Sequence, residues 1–355
     1  MLIYLENFID CSERLAVTTT HKSAEGKIID PHVHFRGFNE KQKYTIGRGM
    51  ALAASQGVVA VIDMPNTKPP IINLETVHMR FEEAQNEGCT KGYYIYVGAT
   101  SNVGQLREAA VAARYHSGVA GIKMYAGKST NPEISVIEYG AQKIVYETLT
   151  AVGYEGVLAV HCEKESLSYY NLWVPEHPAT WNKVKPPESE VESVKDQIRL
   201  AEESGFKGHL HICHTSVPES VHLVNEAKKR GKIRISCCVT PHHLTYCTDD
   251  MLTPDGVRLK VNPPIREIHM MTEMRLLLRT GLIDLIESDH APHEPENKRY
   301  MLGKAKETYS SGIMSLDNYR AFLNSLVNGT TGISNAQLED LTYWNIKKIF
   351  TKILE

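Results

Sequence analysis

The chain has 355 residues, 42% hydrophobic and 23% charged, with 39 lysines and arginines against 42 aspartates and glutamates. That is the make-up of a globular protein with a sizeable core, and a net charge of -3 gives no electrostatic reason to expect nucleic acid or an anionic membrane as partner. Seven cysteines, an odd number scattered without small-domain spacing, fit reduced thiols better than a disulfide framework.

The first fifteen residues carry Glu6, Asp10 and Glu13 and have no basic region followed by an apolar run, so they do not read as a signal peptide. The longest uncharged apolar run, residues 50–62, is too short to span a bilayer, and a cytoplasmic protein is expected. Residues 1–26 are polar and poorly periodic and are expected to form an arm or edge strands.

From residue 27 a short β-rich apolar run alternates with a longer stretch of helical spacing. Strands are expected at 27–34, 57–64, 91–98, 118–124, 156–162, 207–214, 232–239 and 281–288. Between them, residues 74–86, 104–115, 137–152, 190–204, 218–229 and 267–279 carry apolar residues at three- and four-residue intervals. Eight such units predict a (β/α)8 TIM barrel over residues 27–330, with a helical segment at 331–355 packed on it. No G-x-G-x-x-G follows the first strand, which argues against a dinucleotide-binding sheet. Two long connections, 163–188 and 290–311, fall on the C-terminal side of strands, where barrel active sites are built.

The ends of these strands are rich in chemistry. Side chains alternate along a strand, so His32 and His34 share a face, with Val33 and Phe35 on the other. Alone, such a pair is as compatible with hydrogen-bonded histidines as with metal ligands. However, Asn66, Lys123, His161, His214 and Asp289 also stand at strand ends, which brings the potential ligands to one rim. Lys123 would ordinarily be explained by a buried salt bridge. A desolvated lysine also loses its proton readily, and the neutral amine reacts with carbon dioxide to give a carbamate that can bridge two metals. Four histidines, one carbamate and one aspartate suffice for a two-zinc site. Other histidines compete: His209 and His211 share one face of the sixth strand while His214 has the opposite parity, and His242, His243, His290 and His293 follow the seventh and eighth strands. Pattern alone leaves open which of them face the barrel interior.

The motifs DPHVHFR, DMPNT, GIKMY, the fifth-strand histidine, LHICHTS, VTPHHL, VNPPIR and SDHAPH occur in this order between about residues 30 and 317. Together they resemble the amidohydrolase superfamily and, within it, the dihydroorotases that use a carboxylated lysine. The resemblance implies that His214 is the sixth-strand ligand, that His32, His34 and Asp289 hold one zinc and His161 and His214 another, and that carboxylated Lys123 bridges them. It implies substrate contacts from Arg36, Asn66, Asn262 and His293, a set suited to a carboxylate on a small cyclic amide. The implied reaction is the reversible zinc-dependent cyclisation of N-carbamoyl-L-aspartate to L-dihydroorotate in pyrimidine biosynthesis, with Asp289 moving the proton. A homo-oligomer or an association with aspartate transcarbamoylase goes with that reading.

Some features depart from the family pattern. Cys238 stands where many relatives have a glutamate, and the flanking β-sandwich of such relatives is expected to be reduced or absent. Dihydropyrimidinase or hydantoinase and allantoinase share the barrel, lysine and metals; Asn66, the PHHL run and the APH after Asp289 favour the dihydroorotases. A non-catalytic scaffold is the rival from another class, but such proteins lose ligands and all six positions are filled here. Either residues 129–130 or the segment 297–311 is a candidate lid.

Overall fold

The computed structural model describes residues 27–329 and 331–354; the expected N-terminal arm lies outside them. Eight strands pair in parallel in chain order: β1 (Ile28–Val33), β2 (Val58–Asp63), β3 (Tyr93–Gly98), β4 (Val119–Ala126), β5 (Val157–Cys162), β6 (His209–Ile212), β7 (Arg234–Val239) and β8 (Leu285–Ile286). Helices cover the outside, as at Leu74–Asn86, Val103–Tyr115, Tyr139–Ala151, Pro187–Ser204, Pro218–Arg230 and Ile268–Arg279. A parallel strand is covered on both faces and so reads as a continuous apolar run. Thus every residue of β1 is buried, including its polar Asp30 and His32.

The architecture is a TIM barrel, with the sheet almost closed between β8 and β1. His34 N donates to His290 O at 2.8 Å, and Ser288 N donates to Asp30 Oδ1 at 3.0 Å. The side chain of Asp30 here takes a backbone donor that a ladder would have used. For this reason β8 is two residues long rather than the expected eight: Gly281, at φ 76°, is still turning out of the preceding helix, and Asp289 bends away at φ 47°. Among the described residues the barrel is the one sheet, with no flanking sandwich. No helix among them is long and apolar enough to cross a membrane.

Two apolar layers hold the barrel. One lies between sheet and helices and includes Val33, Ile95, Ile122, Leu158 and Val221. The other fills the barrel at the start of the strands, where Ile29, Ala60, Ile62, Tyr96, Val157 and Leu285 meet Ile346, Phe350 and Ile353 from the C-terminal segment. Those three residues recur at four- and three-residue intervals and are almost fully buried. They plug the end of the barrel away from the candidate ligands.

The exit of β1 is held by a buried cation. Arg80, from the helix Leu74–Asn86, donates to Asp63 Oδ2 at 2.5 Å, Tyr93 Oη at 2.8 Å and Arg36 O at 3.2 Å, and also to Phe35 O. Asp63 Oδ1 in turn accepts from Phe35 N at 2.9 Å. The loop that carries Arg36 away from the strand therefore has fixed partners.

Candidate metal and substrate site

At the C-terminal ends of the strands a cleft with about 490 Å³ of empty space, its mouth included, is lined by His32, His34, Arg36, Asn66, His161, His214, Asn262 and Asp289. Eight of the ten candidate site residues thus meet in one place. The other two lie against it. Lys123 is fully buried beneath, and His293 stands beside Arg36, its Nε2 3.1 Å from Arg36 Nη2.

The histidines fall into two sets. On one side, His34 Nε2 lies 3.0 Å and His32 Nε2 3.3 Å from the same oxygen, Asp289 Oδ1. Opposite them, His161 Nδ1 faces His214 Nε2 at 3.1 Å. The outward nitrogens are already committed: His32 Nδ1 to Glu287 Oε1 at 2.7 Å, His34 Nδ1 to Asn66 Oδ1 at 2.8 Å, and His161 Nε2 to Glu163 Oε2 at 2.7 Å. All three partners are acceptors, so each ring carries its proton on the outward nitrogen. For His32 and His34 the inward nitrogens are then lone pairs directed at a carboxylate oxygen, a repulsive arrangement that a shared cation reconciles, while the outward Nδ1 of His214 has no partner among the described residues. Burial also favours the neutral form of one imidazole in each set, bringing His32 down to about 4 and His214 well below the usual range.

Lys123 fits the same picture. Its amine donates to Cys213 Sγ at 3.0 Å and, among the described residues, makes no ion pair. The buried salt bridge that would ordinarily explain such a lysine is therefore missing. Its charge acts on both His32 and His214, one from each histidine set. The donor set (imidazole nitrogens, a carboxylate, and a buried lysine) fits a divalent-metal site. His32, His34 and Asp289 bring their ligand atoms within 4.8 Å of one another.

Asp289 is held as a carboxylate. Burial alone would raise its pKa, but His32, His34 and His214 outweigh that and keep it well below the usual carboxylate range. Both Asp289 and His214 are non-glycine residues in the left-handed region, at φ 47° and 34°. Such conformations cost on the order of 1–3 kcal/mol each and persist where surrounding contacts enforce them.

Arg36 is almost fully buried. Its Nε donates to Pro292 O at 3.0 Å and its Nη2 contacts His293, while among the described residues no carboxylate lies within ion-pair distance. His293 is held neutral, pushed down to about 2 by burial and by the neighbouring Arg36 charge, and so adds no counter-charge; Glu40, Asp289 and Asp63 act on Arg36 only from beyond ion-pair distance. Asn66 links the site to the loop after β4, its Nδ2 donating to Thr130 Oγ1 at 2.8 Å. Trp181 Nε1 donates to Asn262 Oδ1 at 3.1 Å from the other side of the cleft.

The chain matches no family model. Curated relatives are nevertheless clear. It is 31% identical over 281 residues to a dihydroorotase of Brevibacillus brevis, covering 78% of this chain and 63% of that protein. For a dihydroorotase of Aeropyrum pernix the identity is 32% over 271 residues, with 76% and 58% covered. A dihydroorotase of a Thermoanaerobacter species is 30% identical over 358 residues, covering 97% of this chain and 76% of that protein. The chain belongs to the dihydroorotase family. It spans less than two thirds of the length of the first two relatives. Among solved structures, an L-hydantoinase from Arthrobacter aurescens superposes with a TM-score of 0.77 at 24% identity over 93% of this chain and 73% of that one. A dihydroorotase from Campylobacter jejuni gives 0.67 at 18% identity, covering 94% and 87%. Both superpose on the barrel and so show its fold.

Several residues now beside the family's motifs escaped the sequence reading. Glu163 follows His161 on the same face and is bound by Lys185 Nζ at 2.7 Å; burial would raise its carboxyl, but Lys185 and His161 bring it down to about 2. Their signal was a carboxylate two residues beyond a strand-end histidine. Glu287 was missed because a single acid in the run LIDLIES carries no periodic signal. The competing histidines have other partners: His211 Nδ1 contacts Ser236 Oγ at 2.8 Å, His242 Nδ1 contacts Ser315 Oγ at 3.2 Å, and His243 Nε2 donates to Pro263 O at 3.0 Å. Cys238 is buried, its thiol 3.0 Å from His214 N.

Proposed function

We propose that this chain is a metal-dependent dihydroorotase, interconverting N-carbamoyl-L-aspartate and L-dihydroorotate, with His32, His34, Lys123 as its carbamate, His161, His214 and Asp289 holding two zinc ions. The observation that carries the substrate assignment is Arg36: a buried guanidinium with no carboxylate at ion-pair distance among the described residues, opening beside the candidate ligands, calls for an anionic substrate. Dihydroorotate has a ring carboxylate; hydantoin and dihydrouracil do not.

Zinc bound there supplies Lewis acidity and water that ionises near neutral pH. The protein groups do the rest. Arg36 and Asn262 hold the substrate carboxylate and ring amide, and Asn66 keeps the His34 ring in register through Nδ1. Asp289, ionised and with Oδ2 not committed to a donor among the described residues, accepts the proton of the attacking water and passes it to the leaving ring nitrogen. The reverse sequence closes the ring.

The test is turnover of L-dihydroorotate, hydantoin, dihydrouracil and allantoin, with metal analysis of the same preparation. About two zinc ions per chain and turnover of dihydroorotate alone are expected. Turnover of hydantoin or dihydrouracil in preference would move the assignment to the hydantoinases, and metal-free inactive protein to a scaffold. Arg36→Met is expected to raise KM for dihydroorotate by roughly 10- to 100-fold, the worth of a charged hydrogen bond.

A further inference from the structure

We propose that Glu287 is a positioning residue for the metal pair: from the end of β8 it sets the tautomer and orientation of His32 and pins the backbone that presents His214. This rests on the metal-binding reading above.

The geometry centres on one oxygen. Glu287 Oε1 accepts from His32 Nδ1 at 2.7 Å and from His214 N at 3.0 Å. A single carboxylate oxygen therefore joins a ligand on β1 to a ligand beyond β6, one from each histidine set. The side chain is 1% exposed, so water does not compete for either bond. By taking the Nδ1 proton, the carboxylate leaves Nε2 as the lone pair turned to the cleft and makes it a better donor. By taking the His214 amide, it occupies the backbone donor of a residue at φ 34°, where the strand has already ended at Ile212.

The other oxygen has looser neighbours. Oε2 faces His211 Nε2 at 3.7 Å, within ion-pair but beyond hydrogen-bond distance, and the thiols of Cys213 and Cys238 also lie close to the carboxylate. No lysine or arginine is an ion-pair partner of Glu287 among the described residues. A buried carboxylate without a cation is costly unless what it orients carries the balance. Cys238 on β7 gives a way to test this, because its Sγ lies 3.0 Å from the same His214 amide. The two side chains converge on one point, and a carboxylate rooted at position 238 reaches the place that Glu287 fills.

The experiment is zinc affinity of the stripped full chain, measured by competition with a chromophoric chelator, for wild type, Glu287→Ala, Glu287→Gln and the double variant Cys238→Glu/Glu287→Ala. Far-UV circular dichroism of each variant controls for folding. Glu287→Ala is expected to bind zinc roughly 10- to 100-fold more weakly, as for loss of other groups that orient metal-binding histidines. The double variant is expected to regain most of that loss. A Glu287→Ala chain with wild-type affinity, or a folded double variant no tighter than the single one, overturns the proposal. If the alanine chain does not fold, the nearly isosteric Glu287→Gln decides: weaker zinc binding supports the role and wild-type affinity overturns it. A wild-type chain that takes up no zinc overturns the metal reading itself, and this inference with it.

Discussion

Asp289 sits where three requirements meet. It lies within 3.0 to 3.3 Å of two candidate ligands, it is nearly buried, and its backbone is bent into the left-handed region. Burial opposes ionisation, yet the surrounding histidines keep its pKa low, so the carboxylate is a base across the whole neutral range. Removing only its basicity is expected to be far more damaging than removing its bulk. Asp289→Asn should retain metal by elemental analysis while turnover falls roughly 10²- to 10⁴-fold. Ordinary turnover in that variant would remove Asp289 from the proton path. The neighbouring Arg36 and His293 make a second kind of statement, since a cation faced by a neutral imidazole is poised for an anion from outside.

At the scale of elements, the strands and the plug have different roles. The strand ends carry the chemistry, and the Arg80 network to Asp63, Tyr93 and the carbonyls of Phe35 and Arg36 fixes how β1 leaves the barrel. The plug carries stability. Phe350 packs edge-on against Tyr96, with ring centroids 6.1 Å apart, and against His211 at 6.0 Å. Cutting it to alanine leaves a cavity that the rigid barrel cannot collapse around. Phe350→Ala is expected to cost about 3–5 kcal/mol in urea denaturation, with zinc stoichiometry unchanged in the folded fraction. A loss below about 1 kcal/mol, typical of a surface change, would mean that the segment does not close the barrel in solution. The helices Leu74–Asn86 and Val103–Tyr115 were legible almost to the residue, because caps and apolar spacing agree there: Asn73 and Asn102 accept from the backbone amides of Thr76 and Gln105. By contrast, the extent of β8 was not legible, because a side chain rather than a neighbouring strand takes the backbone donor of Ser288.

For the molecule as a whole, the buried histidines set an acid limit. Burial lowers His243 to about 4, His209 and His290 to about 3, and His293 to about 2, against about 6.5 when unfolded. Between 6.5 and those values the unfolded chain binds more protons than the folded one, so stability is complete above 6.5 and is lost as pH falls through the folded values. Asp30, Glu190 and Asp317 act in the opposite sense, since burial raises their carboxyls, that of Asp30 to about 7, but they are fewer than the histidines. Glu163, brought down to about 2 against an unfolded value near 4.5, adds its loss only below that pH. The stripped protein is therefore expected to lose stability between pH 6.5 and 4.5, on the order of 2 kcal/mol for His243 alone. Urea midpoints measured across that range check it. A flat profile would show that these imidazoles are not buried neutral in solution.

The sequence by itself determined the eightfold alternation, because strand and helix periods and helix-ending glycines are local properties. It also placed most of the candidate ligands at strand ends, since His32, Lys123 and His161 are carried by strands, His34 follows directly on β1 and Asp289 lies just beyond Glu287 and Ser288 after β8. Only the tertiary structure decided which histidines turn inward. Parity is a rule for a continuous strand, and β6 stops at Ile212, so His214 reaches the cleft through a left-handed residue that no alternation predicts. The same holds for the groups that orient the ligands. Glu287 meets His32 across 255 residues of chain and Lys185 meets Glu163 across 22, and such contacts exist only after the barrel has closed.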